Sequence, residues 1–325
     1  MALLLDDGRR GHYRQVSALA DCLSVRQWRL PAVVRPPWRT FAPYRLAAGL
    51  AAHPAIRQAL PDREPAAIIA CGRSSALVSR WLQVYWQGRP KTVQILHSGI
   101  GPKHFTWVIA PNHDKIGGDN VIHVNGSLTP VAASQLEFSG SSHASRCCLL
   151  LLGGPARHFR FTRGWLAESL SRLARQLHSL SASLQVLTSP RSPPWVAEVL
   201  AGSVHGVPCQ LSQWSAMPAE VAQAAYTRAV REASLVVASA DSVNLVSEAG
   251  ASGKPAFVLG AERVSGRVAS GVRSLLQQGY VLDVDALQRA VVENRGTRLL
   301  DETRRVAGLL LRSGLLDAAA DNFRK

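Results

Sequence analysis

The chain has no uninterrupted apolar run near the roughly 20 residues that a membrane-spanning helix needs, although apolar residues fill 47% of its 325 positions. A helical membrane span is therefore not expected. Cysteine is scarce: Cys22, Cys71, Cys147, Cys148 and Cys209 lie mostly within apolar runs and show no CxxC spacing. An odd count without that spacing argues against a disulfide framework or zinc site and predicts buried thiols. No obligatory metal and no cofactor is expected. The opening MALLLDDGRRGH has too short an apolar piece for an export signal. The expected location is the cytoplasm. Acid is the minority charge, with 22 Asp and Glu against 37 Lys and Arg and a formal net charge of +15. Both halves of the chain share this excess, which excludes a basic tail of the kind that binds nucleic acid. Distributed Arg suits anionic small ligands or an anionic membrane surface, and equally suits plain solvation.

What is present is a repeated alternation of short apolar runs and helical stretches, over a length that suits two domains. In the first half the runs are ALLL (2–5), VRQWRL (25–30), AAIIAC (66–71), KTVQIL (91–96), TWVIAP (106–111) and NVIHV (120–124). Such alternation predicts a parallel sheet covered on both faces, with ligands gathered at the carboxyl ends of its strands. Four polar loops, the first three containing Gly, fall at those ends: DDGRRGH (6–12), CGRSS (71–75), LHSGIGPKH (96–104) and APNHDK (110–115). Gly8 and Gly11 allow a tight turn that presents His12, with Arg73 and Ser74 on the neighbouring loop. His12 or Asp7 suits the work of a general base, and Asp114 is a second candidate. GxxGH is a weak phosphate fingerprint, and either Asp also suits a helix cap.

The Ser/Gly/Ala-rich segment from Gly126 to Arg146 reads as a linker, placing one domain at 1–142 and a second at 143–295. The pattern then restarts with CCLLLLGGP (147–155), LQVLT (184–188), GVPCQLS (206–212), SLVVAS (234–239) and AFVLG (256–260). Gly153 and Gly154 remove side chains where a diphosphate needs to approach backbone, beside Arg157, His158 and Arg160. Ser189 and Arg191 follow the next strand. In SADSVNLVSEAGASGKP (239–255), Asp241 or Ser242 is expected to cap a helix whose start welcomes an anion. Glu248, two turns on and expected on a polar face, can accept hydrogen bonds from a ribose, or be a solvated surface acid. Apolar residues at helical spacing from Leu287 to Leu316 predict a terminal helix; residues 296–325 are expected to pack back on the first domain rather than lie on a membrane.

Eight motifs in this order resemble the mitochondrial-fission Elm-like family of glycosyltransferase-type proteins: DGRRGHYRQ (7–15), CGRSSAL (71–77), KTVQIL (91–96), APNHD (110–114), NGSLTPV (125–131), LLGGPARHFRF (151–161), TSPRSP (188–193) and ADSVNLVSEAGASGKP (240–255). No single motif is decisive, but together they span nearly the whole chain. More distantly the chain is similar to the muramyl transferase that forms lipid II. The resemblance implies a B-type glycosyltransferase fold, in which two Rossmann-like domains face each other across a cleft. It implies His12 near the acceptor, Gly153 and Gly154 near the diphosphate, Ser242 at the phosphate and Glu248 on the ribose. Pro190 and Ser192 depart from the second Arg and the Thr of many relatives, and AERVSGR replaces a proline-containing loop after FVLG.

The function these readings imply is transfer of a sugar from a nucleotide-diphosphate sugar to a lipid-linked or lipopolysaccharide acceptor, peripherally at an inner membrane face. Alternatives are a noncatalytic membrane-surface adaptor and a nucleotide-sugar epimerase, which needs further acids that the sequence does not identify.

Overall fold

The structure is a computed structural model describing residues 1–32, 34, 54–130, 146–213 and 219–316. The chain divides into two compact units, 1–131 with 301–325, and 132–300. The expected boundary at 142/143, most of the expected linker and the tail beyond residue 316 lie outside the described residues.

In the first unit six strands form one parallel sheet: β1 (Ala2–Asp6), β2 (Gln27–Pro31), β3 (Ala67–Cys71), β4 (Lys91–Ile95), β5 (Trp107–Pro111) and β6 (Val121–Val124), in the order β2-β1-β3-β4-β5-β6. Alternate residues face opposite sides of a strand. Ala2 and Leu4 accordingly enter one apolar cluster with Ile69 and Ile109, while Leu3 and Leu5 enter another with Ile68 and Val108. Both faces are covered, which is why these strands read as unbroken apolar runs. The helices between them are α1 (Arg10–Cys22), α2 (Pro54–Gln58) and α3 (Gly72–Tyr85).

The second unit repeats the plan with β7 (Cys147–Leu152), β8 (Ser183–Thr188), β9 (Cys209–Ser212), β10 (Leu235–Ser239), β11 (Ala256–Leu259) and β12 (Leu282–Asp283). These too are parallel, in the order β9-β8-β7-β10-β11-β12, the dinucleotide-fold arrangement. Its helices are α4 (Arg163–Ser179), α5 (Val196–Ser203), α6 (Ala219–Glu232), α7 (Val243–Gly250), α8 (Gly266–Gln277) and α9 (Leu287–Val292).

Three expectations need correction. The apolar stretch from Leu287 to Leu316 is two helices, α9 and α10 (Glu302–Arg312), because Asn294 adopts a positive φ of 51° and Arg295 bonds back to Ala290. Helix α10 packs on α1, with Val306, Ala307 and Leu310 joining Val16 and Leu19 in one cluster of the first unit. Residues 126–129, read as the start of a linker, are buried: Leu128 joins that cluster and Thr129 bonds Thr303. Of the five free thiols only Cys71 and Cys148 are buried; Cys22 and Cys147 are half-buried, and Cys209 is exposed.

Candidate functional site

In an open α/β sheet the crevice for a ligand opens where strand order reverses, because the two flanking loops diverge there. The first sheet reverses between β1 and β3, the second between β7 and β10. Most of the candidate residues collect at these two points.

At the first, Gly8 turns with a φ of 81° and donates its N–H to Asp6 Oδ1 at 2.9 Å. Helix α1 starts earlier than expected, so Gly11 and His12 lie in its first turn rather than in the loop. His12 Nδ1 sits 2.8 Å from Asp7 Oδ2; the Asp7 side chain is 3% exposed and that of His12 20%. Burial pushes the Asp7 carboxyl up, but hydrogen bonding and charge from His12, with the N–H and charge of Arg9, outweigh it and hold the group below the usual value. An ionised carboxylate only accepts, so Nδ1 carries the proton and the basic lone pair of the neutral ring is on Nε2.

The imidazole lies against Gly72, the first residue of α3, whose φ is 80°; a Cβ there would come within 2.5 Å of His12 Cε1. Gln94, buried on β4, fixes that glycine by donating from Nε2 to Gly72 O at 3.1 Å and to Ile95 O at 2.8 Å. Arg73 is exposed in the first turn of α3, donating from Nε to Ser98 O at 3.2 Å, while Ser74 beside it is half-buried. Asp114, half-buried in the turn after β5, is not brought to this point. Its strand end is three strand spacings from β1, or about 14 Å.

At the second point Asp241 departs from its expected part as a helix cap. Its side chain is wholly buried and binds three groups: Ser239 Oγ at 2.6 Å, Gly154 N at 3.3 Å and Arg191 Nη2 at 2.5 Å. Ser242 occupies the cap position of α7 in extended backbone but makes no side-chain cap bond. The glycine pair has a reason other than room for a ligand. A Cβ on Gly153 would collide with the Asp241 carboxylate, and one on Gly154 with the Arg191 carbonyl. Arg191 also donates from Nη1 to Pro155 O at 3.3 Å, and Ser189 Oγ accepts the Arg191 N–H at 3.2 Å. Ser192 donates to Gly153 O at 2.5 Å, so this departure from the family pattern braces the glycine turn. Arg157 and Arg160 are exposed, and the His158 ring bonds Asp241 O at 3.0 Å. Glu248 is not on a polar face: it is only 7% exposed, in the half of α7 that packs inward.

Sequence reasoning missed Ser239, Gln94 and the pairing of Arg191 with Asp241. Gln94 had a signal, an amide inside the apolar run KTVQIL; the ion pair joins positions 50 residues apart and had none.

Two parallel six-stranded Rossmann-like units define a B-type glycosyltransferase architecture, the fold of sugar-nucleotide enzymes. The chain is similar in structure to the UDP-GlcNAc 2-epimerase of Neisseria meningitidis bound to UDP-GlcNAc, at 13% identity and a TM-score of 0.51, over 97% of this chain and 98% of that one. It is also similar to the Methanocaldococcus jannaschii UDP-GlcNAc 2-epimerase in complex with UDP-GlcNAc and UDP, at 10% identity and a TM-score of 0.53, over 96% and 100%. At such identities the likeness shows the fold alone. The model of the family described as mitochondrial fission ELM1 matches residues 10–313, and the chain belongs to that family. The mitochondrial fission protein ELM1 of Arabidopsis thaliana is 23% identical over 255 residues, 69% of this chain. The chain spans 58% of that relative's length. Among the described residues no helix is long and apolar enough to cross a membrane, and no three His, Cys, Asp or Glu gather as a metal site.

Proposed function

We propose that the protein is a glycosyltransferase that moves a sugar from a nucleotide-diphosphate sugar to the hydroxyl of a lipid-linked or lipopolysaccharide acceptor at the cytoplasmic face of a membrane. The observation that carries this reading is the Asp7–His12 pair at the reversal point of the first sheet. A neutral imidazole whose Nε2 is basic suits removal of a hydroxyl proton near neutral pH. As the acceptor oxygen bonds to the anomeric carbon, its proton passes to His12 Nε2 and the bond from that carbon to the diphosphate oxygen breaks. The departing nucleoside diphosphate takes the electron pair, and cationic side chains and helix N–H groups suit the charge it gathers. His12 then returns its proton to water, and Glu248 takes the ribose hydroxyls.

Support for a nucleotide-sugar donor comes from the shared fold and from the polar groups collected at the second reversal point; the net positive charge suits both the donor and an anionic membrane surface. The test is a thermal-shift screen against nucleoside diphosphates and their sugars, followed by donor hydrolysis or transfer with the parent, His12→Ala and Glu248→Ala. A ligand that binds the folded form raises the melting temperature. Turnover unchanged in His12→Ala would remove the base assignment, and unchanged donor binding in Glu248→Ala the ribose assignment. Binding to anionic liposomes without any nucleotide binding would leave a membrane adaptor in place of an enzyme.

A further inference from the structure

Three arginines lie near the glycine turn of the second unit, and the structure treats them differently. Arg157 and Arg160 are exposed, whereas Arg191 is fastened at two points, to the Asp241 carboxylate and to Pro155 O. Asp241 is itself immobilised. Ser239 and Gly154 donate to it from the ends of two adjacent strands, and no part of its side chain meets solvent. A buried carboxylate is costly without its cation, so Arg191 cannot leave Asp241 for a ligand without stranding that charge. The Arg191 side chain as a whole nevertheless stays 44% exposed. It has five N–H donors in one plane, and its bonds to Asp241 and Pro155 take one from each of the two terminal nitrogens.

We infer that Asp241 is a positioning residue: it holds the Arg191 guanidinium, with N–H donors still exposed, beside the Gly153–Gly154 turn as the fixed cation for the ligand's diphosphate. Asp241 touches no ligand. It acts by orienting Arg191, so that a phosphate meets a donor already in place instead of ordering a flexible side chain. The inference deepens the donor-binding part of the proposed function and rests on that reading for the identity of the anion.

Binding of inorganic pyrophosphate and of UDP is measured by calorimetry on the full chain, for the parent, Arg191→Gly, Arg191→Lys and Asp241→Asn, with melting temperatures recorded alongside. Asn has one carbonyl oxygen for three donors and turns an N–H₂ toward one of them, so the network opens without a change of volume. Arg191→Gly and Asp241→Asn are each expected to weaken pyrophosphate by about 10- to 100-fold, the loss of one charge-assisted hydrogen bond. Lys keeps the charge without the fork and is expected to recover only part of the loss.

The decisive readout is rescue: free guanidinium should restore pyrophosphate binding to folded Arg191→Gly, and should fail to restore it when Asp241→Asn is added. A merely structural role for Asp241 predicts rescue in neither background or in both. Parent-like pyrophosphate binding by folded Asp241→Asn, or no pyrophosphate binding by the parent, overturns the inference. If the parent binds pyrophosphate in the expected pattern yet turns over no nucleotide sugar, the inference stands and the proposed enzyme function falls.

Discussion

The two reversal points share a device and differ in the group it serves. In each, a buried carboxylate just beyond a strand end holds a nitrogenous side chain beside a glycine: Asp7 holds His12 against Gly72, and Asp241 holds Arg191 beside Gly153 and Gly154. An imidazole is a group that can take up and pass on a proton, whereas a guanidinium serves as a fixed charge with several donors. One carboxylate therefore sets a tautomer and the other sets a charge. Under the proposed function, the same local architecture serves proton transfer in one unit and anion binding in the other.

That contrast is broken most sharply by removing the imidazole. His12→Ala is expected to lower transfer by about 10²- to 10⁴-fold, the range for one general base, while leaving nucleoside diphosphate affinity within about twofold. Loss of donor affinity in step with rate would erase the division of labour. Gly72→Ala comes next. The new methyl meets His12 in a backbone conformation with a φ of 80°, so a destabilisation of about 2–3 kcal/mol is expected from strain and displaced packing. Denaturant unfolding measures it, and a folded fraction with normal turnover would show that the imidazole does not depend on its glycine floor.

How far this arrangement can be read from sequence depends on the reach of each interaction. Strands β1, β3, β5, β7, β10 and β11 are legible because each is an apolar run closed by polar or glycine residues, the mark of a sheet covered on both faces. The loops were legible as well, since Gly8 and the Gly153–Gly154 pair punctuate strand ends. What could not be read was the partner of each charged group. Asp241 stands directly before a helix, where local chemistry favours a cap; three groups from the loop after β8, from β10 and from the β7 loop win it instead, because the fold brings their donors to one buried point. Glu248 failed for the opposite reason. Val243 and Leu245 suggest which face of α7 is apolar, yet both are only half-buried, while Ser247 and Glu248 turn inward.

The units also differ in how they are closed. The first is completed by chain from the far end of the sequence, where Thr303 on α10 donates to Thr129 O at 2.7 Å and accepts from Thr129 N at 2.9 Å. Arg305 adds a bond to His123 O, and the buried Glu302 accepts from Asn125. Thr303→Val keeps the shape but leaves both backbone groups of Thr129 without this partner, so a loss of about 1–3 kcal/mol is expected. If unfolding is resolved into two transitions, the loss should fall on the first unit, and hydrogen exchange at residues 121–130 should speed up before that at β7. An equal effect on both units would mean that they do not unfold separately.

The smallest expected effect concerns acid stability and separates the two carboxylates without any ligand. Asp7 titrates below its ordinary value in the folded chain, so its ionised form favours folding. That contribution is complete above the unfolded carboxylate pKa of about 3.9 and disappears as pH falls through the lower folded value. Because the His12 side chain is partly exposed, solvent screening keeps the contribution to about 1 kcal/mol or less. Asp7→Asn should therefore cost this amount at pH 5–6 and progressively less as pH falls through the lowered folded value, flattening the acid limb of the stability curve. A constant difference across that range would assign the loss to packing of the amide rather than to charge, and would leave the His12 tautomer without its electrostatic cause.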